Sequence, residues 1–189
     1  YDKLFQKKSC ETVKSNFITL HKVDGKLYFE IPVKYLGREM LLASTLTSTS
    51  SNDFCDVGYK QNDPLHIRFT KIDSTIYLNE VNAYVTSNPN EPSLQKAIDK
   101  NFMDAVLYSY KIAAYNPDST AVVIDVSEFF LADNELMTPF SPYAPILGQG
   151  RWIVKEFKKD KDGKVCAVVT IKLEPKKDEK TGRMNMVPV

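Results

Sequence analysis

The dipeptide Asp24-Gly25 separates two short runs, Phe17–Val23 and Lys26–Ile31, that are rich in apolar and β-branched residues. Asp-Gly accepts the positive φ angles of a type I′ turn, whose twist matches that of two paired strands, so this stretch specifies a β-hairpin. The same punctuation recurs along the chain. Asp73-Ser74 divides Leu65–Ile72, where Leu65, Ile67 and Phe69 share one face, from a second strand at Thr75–Val81. Asn116-Pro-Asp-Ser119 turns the longest strand candidate, Ala105–Ala114, into the apolar run Ala121–Val126, which reads as a central strand. Trp152–Phe157 and Val165–Leu173 flank a polar turn holding Asp162-Gly163 and form another hairpin. The stretch Asp160–Gly163 has the look of a calcium loop, but the later Glu that an EF-hand needs is missing at its spacing, so turn chemistry is the better reading.

Between these strands the chain carries few helical signals. Pro32 ends the first hairpin, Val33–Leu36 makes one helical turn closed by Gly37, and Glu39–Leu46 reads as a strand. Ser44–Ser51 is a Ser/Thr-rich loop. Asn88–Pro92 breaks the chain, after which Ser93 caps a short helix with Leu94, Ala97 and Ile98 on one stripe. In Ala105–Ala114, alternation places Val106, Tyr108, Tyr110 and Ile112 on one face and Ala105, Leu107, Ser109 and Lys111 on the other. Ser127 and Glu128 start a helical turn carrying Phe129 and Phe130. Pro139, Pro142 and Pro145 hold Thr138–Gly150 in an extended, irregular loop. The expected fold class is therefore α+β: mostly antiparallel β-sheet with β-hairpins and one or two short helices. The strand–helix alternation of a parallel sheet does not occur. The expected organisation is an N-terminal hairpin segment over 1–50 and a β-rich domain over 51–189, or one continuous domain 1–189.

Composition excludes several classes. The chain has 189 residues with 10 Phe and 10 Tyr, too aromatic for disorder, and no stretch approaches the roughly 20 apolar residues of a membrane helix. A net charge of +1 gives no uniform nucleic-acid-binding surface. The charge is unevenly spread: +3 over residues 1–40, −7 over 41–150 and +5 over 151–189. This is either ordinary variation of solvated faces or basic ends laid against an acidic middle, in this chain or a partner. The three cysteines, Cys10, Cys55 and Cys166, are widely spaced, without CxxC or zinc-ligand spacing. Cys166 lies in an apolar run and reads as a buried thiol, whereas Cys10 and Cys55 lie in polar surroundings where pairing needs an oxidising compartment. The chain begins at Tyr1 and carries neither signal peptide nor lipidation motif, which suggests a processed chain or a piece of a longer one, and says nothing about export.

Motifs that carry chemistry are scarce. GxSxG, GxGxxG, phosphate-cradling glycine loops and HExxH are all missing, and no metal-ligand set or cofactor site is expected. His21 lies in a hairpin strand and His66 beside an alternating run, and a strand histidine with no partner in sight is first a structural residue. Asp125 is the one carboxylate expected to be partly buried, with capping of the turn at Ser127 as its first role and general-base chemistry as its second. Tyr108 and Tyr110 form either a stacking platform for sugar or peptide or part of a sheet core. Phe140, Tyr143 and Trp152, in or beside the Pro-rich loop, anchor it to its own domain or dock another. These five aromatics are the candidate binding surface.

The segment Phe17–Ser44, with Tyr28-Phe29-Glu30-Ile31-Pro32 and Leu36-Gly37-Arg38-Glu39, is followed by Tyr115-Asn116-Pro117-Asp118-Ser119 and Asp125-Val126-Ser127-Glu128-Phe129-Phe130. Together these resemble the amino-terminal, uncharacterised regions of large secreted zinc-dependent metallopeptidases of Gram-negative bacteria, over about residues 17 to 130. The resemblance implies a non-catalytic front domain, export to the periplasm or cell envelope, and partnership with a downstream peptidase domain or other envelope protein. That family's HExxH helix lies in a separate domain, and nothing here matches it, so no catalytic residue carries over. Two rival expectations stand beside it: a free-standing envelope module that binds glycan or peptide through Tyr108, Tyr110 and Trp152, and a hydrolase built on converging carboxylates.

Overall fold

A computed structural model of the chain describes residues 1–5, 9–48, 56–58, 63–83, 85, 90–132, 136, 153–159, 161, 165–170, 173–177, 179–180 and 184–188. The strands are β1 (Cys10–Lys14), β2 (Thr19–Val23), β3 (Lys26–Pro32), β4 (Glu39–Leu42), β5 (Leu65–Ile72), β6 (Thr75–Glu80), β7 (Ala105–Tyr115), β8 (Ala121–Asp125), β9 (Ile153–Lys159), β10 (Val165–Thr170), β11 (Leu173–Lys177) and β12 (Met184–Pro188). The helices are α1 (Asp2–Phe5), α2 (Pro92–Asn101) and α3 (Ser127–Phe130), with a 3-10 turn at Val33–Tyr35. All strand pairs are antiparallel, so the fold is the β-rich α+β arrangement expected from the sequence.

The first eight strands form one sheet in the order β1-β2-β3-β8-β7-β6-β5-β4, while β9 pairs with β10 and β11 with β12. Residues 1–50 thus supply strands at both ends of the sheet, and 51–130 supply the four between them. In a flat sheet β3 and β4 would lie five neighbour spacings apart, roughly 24 Å at about 4.8 Å each. Only Val33–Arg38 connects them, and it contains the 3-10 turn, which rises only about 2 Å per residue. Its reach is at most about 20 Å, and Gly37 shortens it further by turning back at φ 82°. The sheet therefore has to curl. Two backbone bonds fix the short path across its end: the Val33 amide donates to Thr120 O at 2.8 Å and the Gly37 amide to Phe69 O at 2.7 Å.

Curling encloses one core drawn from every side of the sheet: Leu27 and Ile31 of β3, Ile67 and Phe69 of β5, Ile76 and Leu78 of β6, Tyr110 of β7, Val122 and Ile124 of β8, and Phe129 and Phe130 of α3. Phe157 of β9 packs against it. The outer face of β2, β3 and β8 carries a second cluster of Val23, Tyr28 and Val123, covered by Tyr1, Leu4 and Phe5 around α1. With apolar contacts on both faces, β8 is the central strand that its unbroken Val122-Val123-Ile124 run announces.

Three of the expected turns fall where the sequence places them, and the fourth, at Asp162-Gly163, lies outside the described residues. Asp24 and Gly25 have φ of 50° and 76°, Asp73 of 51° and Ser119 of 54°. The simple alternation in β7 is corrected by two bulges, one opposite Leu78/Asn79 and one between Ile112 and Ala114. Each inserts a residue and flips the faces that follow. Val106 therefore pairs with Asn79 on the outer face and is 60% exposed, while Leu107, expected on the face opposite Tyr108 and Tyr110, packs against the core with them. The bulges also divide β7: Ala105–Lys111 pair with β6, whereas Ile112–Tyr115 pair with β8, and this bend helps the sheet curl.

Three smaller expectations are also revised. The strand expected over Glu39–Leu46 stops at Leu42. Helix α2 begins at Pro92 with Glu91 in the cap position and no side-chain cap, so Ser93 lies inside its first turn. Of its proposed stripe only Ile98 is buried, and Leu94 stays exposed.

A stability test follows from the short connection. A side chain at Gly37 meets open space but must adopt a left-handed backbone, so Gly37→Ala is expected to lower unfolding free energy by about 1–2 kcal/mol in urea titration. Leu41→Ala, which truncates a side chain 73% exposed on the neighbouring strand, is expected to change it by less than about 0.5 kcal/mol.

Candidate functional site

Tyr108 and Tyr110 of β7 lie side by side, with ring centroids 4.8 Å apart and planes inclined at 39°, and Phe129 of α3 meets Tyr108 edge-on at 6.1 Å. They do not form an open platform. Tyr110 is 3% exposed inside the core, and its hydroxyl is buried without a hydrogen-bond partner among the described residues. Burial pushes its ionisation far above the ordinary phenol value, reinforced by the nearby Tyr108, Asp125 and Glu128. Tyr108 is half-buried and donates its hydroxyl to Glu128 Oε2. Its phenol is pushed up to about 12 by burial and then by that carboxylate.

Next to this pair Asp125 ends β8 and organises the start of α3. Its Oδ1 accepts the Ser127 amide at 3.0 Å and the Ser127 hydroxyl at 2.6 Å, bonds that hold the chain entering α3, although Val126 occupies the cap position and no side chain caps the helix. Its Oδ2 accepts Lys26 Nζ at 2.8 Å. Burial alone would raise this carboxyl, but Lys26 and the two Ser127 bonds outweigh it and hold the group below the ordinary value. The Ser127 hydroxyl also accepts the Leu27 amide at 2.9 Å, which ties α3 to the start of β3. The two carboxylates of this region, Asp125 and Glu128, are thus both engaged by neighbours in the fold.

A second constellation lies on the outer face around His21, and here the expectation of a partnerless histidine is corrected. Its ring is 3% exposed, with Nε2 2.9 Å from Glu30 Oε2 and Nδ1 2.8 Å from Thr12 Oγ1. Tyr1 also donates to Glu30 Oε2, at 3.0 Å, and Phe5 lies over the imidazole at 4.5 Å. Since the carboxylate only accepts, Nε2 carries the proton of the neutral ring and Nδ1 accepts from the Thr12 hydroxyl. Burial lowers the His21 pKa, and Glu30 offsets this only in part. Burial and Glu30 push the Tyr1 phenol up to about 12. Hydroxyl, imidazole and carboxylate in sequence are the parts of a relay that activates an alcohol. Here Phe5 covers the ring and Tyr1 shares the carboxylate, so the set works as a clasp joining α1, β1 and β3. Glu30, with 17% of its side chain exposed, is more deeply buried than Asp125 at 31%, which corrects the expectation that Asp125 was the one such carboxylate.

A third group crosses the outer face of β4 and β5. Glu39 pairs with His66 at 3.0 Å and with Arg68 at 3.3 Å, and Arg68 Nε lies 3.4 Å from Asp104. These pairs are partly solvent-exposed and contribute little individually. They also qualify the idea of basic ends against an acidic middle, since Lys26 meets Asp125 in that sense while Glu39 and Arg68 meet in the opposite one. Among the described residues no three His, Cys, Asp or Glu side chains converge as a metal site, and no helix is long and apolar enough to cross a membrane. A shallow depression of about 200 Å³ lies between Ser9, Glu11, Lys22, Asp24 and Gly25, smaller than the roughly 300 Å³ at which ligand sites begin. Cys10 is an exposed free thiol. Phe140, Tyr143, Trp152 and Cys55 lie outside the described residues, as does the side chain of Cys166.

The clasp escaped the sequence reading because its members come from four separate segments. The one signal available was Glu30 itself, a charged residue inside the apolar strand Leu27–Ile31, where burial demands a partner.

Two family models match the chain. One, described as Domain of unknown function (DUF5118), covers residues 1–49. The other, described as Domain of unknown function (DUF5117), covers residues 58–161. No curated protein and no solved structure gives a significant match.

Two measurements check the electrostatics. Tyr110→Phe removes a buried, unsatisfied hydroxyl and is expected to raise unfolding free energy by about 1 kcal/mol, where loss of a useful hydrogen bond would lower it. Asp125 has a folded pKa below its unfolded value, so its stabilisation is present above about pH 4 and is lost as pH falls through the folded pKa. Asp125→Asn is expected to flatten that acid arm of a pH–stability profile, and an unchanged arm contradicts the assignment.

Proposed function

We propose a role from one established premise: the chain belongs to the DUF5117 family, whose model covers more than half of it. The role is that of a non-catalytic accessory domain at the front of a larger, exported, zinc-dependent metallopeptidase-like protein, acting in folding, docking or substrate presentation. The partner is the downstream peptidase domain or another envelope protein, and the site of action is the periplasm or cell envelope.

One observation supports the non-catalytic part of this reading above the rest. Among the described residues, three sets of buried or half-buried ionisable groups hold segments to one another: His21 and Glu30 with Thr12 and Tyr1, Asp125 with Lys26 and Ser127, and Tyr108 with Glu128, while the Tyr110 hydroxyl is sealed in the core. A reaction centre needs such groups aimed at a space where substrate can sit. The peptidase connection rests on the resemblance of Phe17–Ser44 and Ala113–Phe130, which is structural in content. The rival reading, a free-standing binding module, loses Tyr110 as a stacking surface because that ring is enclosed.

Purified chain is expected to cleave no peptide substrate and to hold no stoichiometric zinc by metal analysis after dialysis. One tightly held zinc per chain, or turnover of a peptide library that survives repurification, overturns the proposal. Quenching of Trp152 fluorescence by a defined oligosaccharide would favour the rival.

A further inference from the structure

We propose that the connection between β3 and β4 carries a docking surface for an acidic peptide segment of a partner protein. Lys34, Tyr35 and Arg38 form it, with Phe17 behind the ring and Lys14 and Lys159 at its margin. This goes beyond the accessory reading and stands whether or not a peptidase domain adjoins the chain. The inference starts from Leu36-Gly37-Arg38-Glu39, a segment whose members the fold uses unequally. Leu36 packs against the core, Gly37 makes the left-handed turn, and Glu39 pairs with His66 and Arg68. Arg38 stays exposed and has no such task in the sheet.

Tyr35 is the centre of the surface. Lys34 Nζ lies 4.9 Å and the Arg38 guanidinium 5.7 Å from its ring centre, and Phe17 packs on it at 4.6 Å with planes inclined at 56°. The Tyr35 hydroxyl donates to Asn16 O at 3.1 Å, which sets the ring beside the turn between β1 and β2. Lys14 ends β1 at that turn, and Lys159 Nζ of β9 donates to Lys14 O at 3.0 Å. Four exposed cations from three segments thus gather at one end of the curled sheet. Among the described residues none of the four is ion-paired. The acidic side chains of the same strands face other cations or His21: Glu11 faces Lys22, Glu30 faces His21, Glu39 faces His66 and Arg68, and Glu156 faces Lys158.

The connection also holds this surface in place. Besides the bonds of Val33 to Thr120 and Gly37 to Phe69, the Leu36 amide donates to Val33 O at 3.1 Å and the Arg38 amide to Tyr35 O at 3.2 Å. Lys34 and Arg38 therefore leave a backbone that cannot rearrange without uncurling the sheet, and such pre-organisation lowers the ordering cost of binding. The ligand has to be anionic, because clustered cations without carboxylate partners keep charged donors in water. Bases and sugar rings stack on open aromatic faces, whereas the Tyr35 ring already carries Lys34 and Arg38. A long polyanion or an anionic membrane runs past the four cations and meets the repulsion of residues 41–150, which carry −7. A short extended acidic peptide escapes that repulsion. Its alternate side chains lie on one face roughly 7 Å apart, a spacing suited to two cations grouped on one ring. The Arg38 guanidinium takes one carboxylate as a planar fork and the Lys34 ammonium takes the next as a point charge.

Fluorescence anisotropy of the full chain with a labelled octapeptide of alternating glutamate and serine tests this. The peptide is expected to bind at low ionic strength and to weaken as salt is added, and a matched glutamine–serine peptide is expected not to bind. Lys34→Glu combined with Arg38→Glu is expected to weaken binding at least about tenfold. Lys96→Glu combined with Lys100→Glu, the same charge change at exposed positions of α2, is expected to leave it unchanged. No measurable binding, or an equal loss in the two variants, overturns the proposal. So does tighter binding of a single-stranded oligonucleotide or of phosphatidylserine vesicles, or self-association of the chain that the Lys34/Arg38 reversal abolishes. If that reversal does not fold, amide shifts in the unaltered chain decide by NMR. Peptide-induced shifts centred on Phe17 and Val33–Arg38 support the surface, and shifts centred elsewhere overturn it.

Discussion

Six residues, Val33–Arg38, join β3 to β4 across a sheet whose order places four other strands between them. A flat sheet cannot satisfy a connection that short, and everything distinctive about the architecture follows. The sheet curls, its inner face closes on itself, and Ile31, Phe69, Ile76 and Val122 meet in one core although they come from four different strands. The bulges in β7 supply the local bend that curling needs, and in doing so turn Val106 outward and Leu107 inward. Substantial burial in a sheet this size requires such closure, since an open sheet leaves one face wet unless helices cover it.

The same constraint makes the two family regions interdependent. Strands β1 to β4 fall within residues 1–49 and β5 to β8 within 58–161, yet β3 pairs with β8 and β4 with β5. The first region therefore flanks the second on both sides and supplies part of its core through Leu27 and Ile31. Neither region keeps its sheet partners without the other. The two family regions share one eight-stranded sheet and one core.

What was legible in the sequence is what neighbouring residues decide among themselves. Asp24-Gly25 selects its turn without help from the rest of the chain, Val122-Val123-Ile124 announces burial on both faces, and Asp125 bonds Ser127 two residues on. What was hidden depends on residues distant in sequence. Strand alternation cannot foresee a bulge, because the extra residue is placed by the partner strands and not by its own neighbours. His21 looked solitary because Thr12, Glu30 and Tyr1 reach it only after three strands and a helix have assembled. For the candidate site the loss was larger: of the aromatics singled out, Tyr110 fills the core and Tyr108 supports α3, both decided by the curl of the sheet.

The central claim is that residues 1–49 and 58–130 unfold as one cooperative unit because the short connection locks them into a single curled sheet. Native-state hydrogen exchange in increasing denaturant measures this directly, by comparing the slowest amides of β3 with those of β5 and β8. The account predicts that all three merge into one unfolding free energy with one denaturant dependence. Exchange of β3 through a lower-energy opening that leaves β5 and β8 fully protected would contradict it.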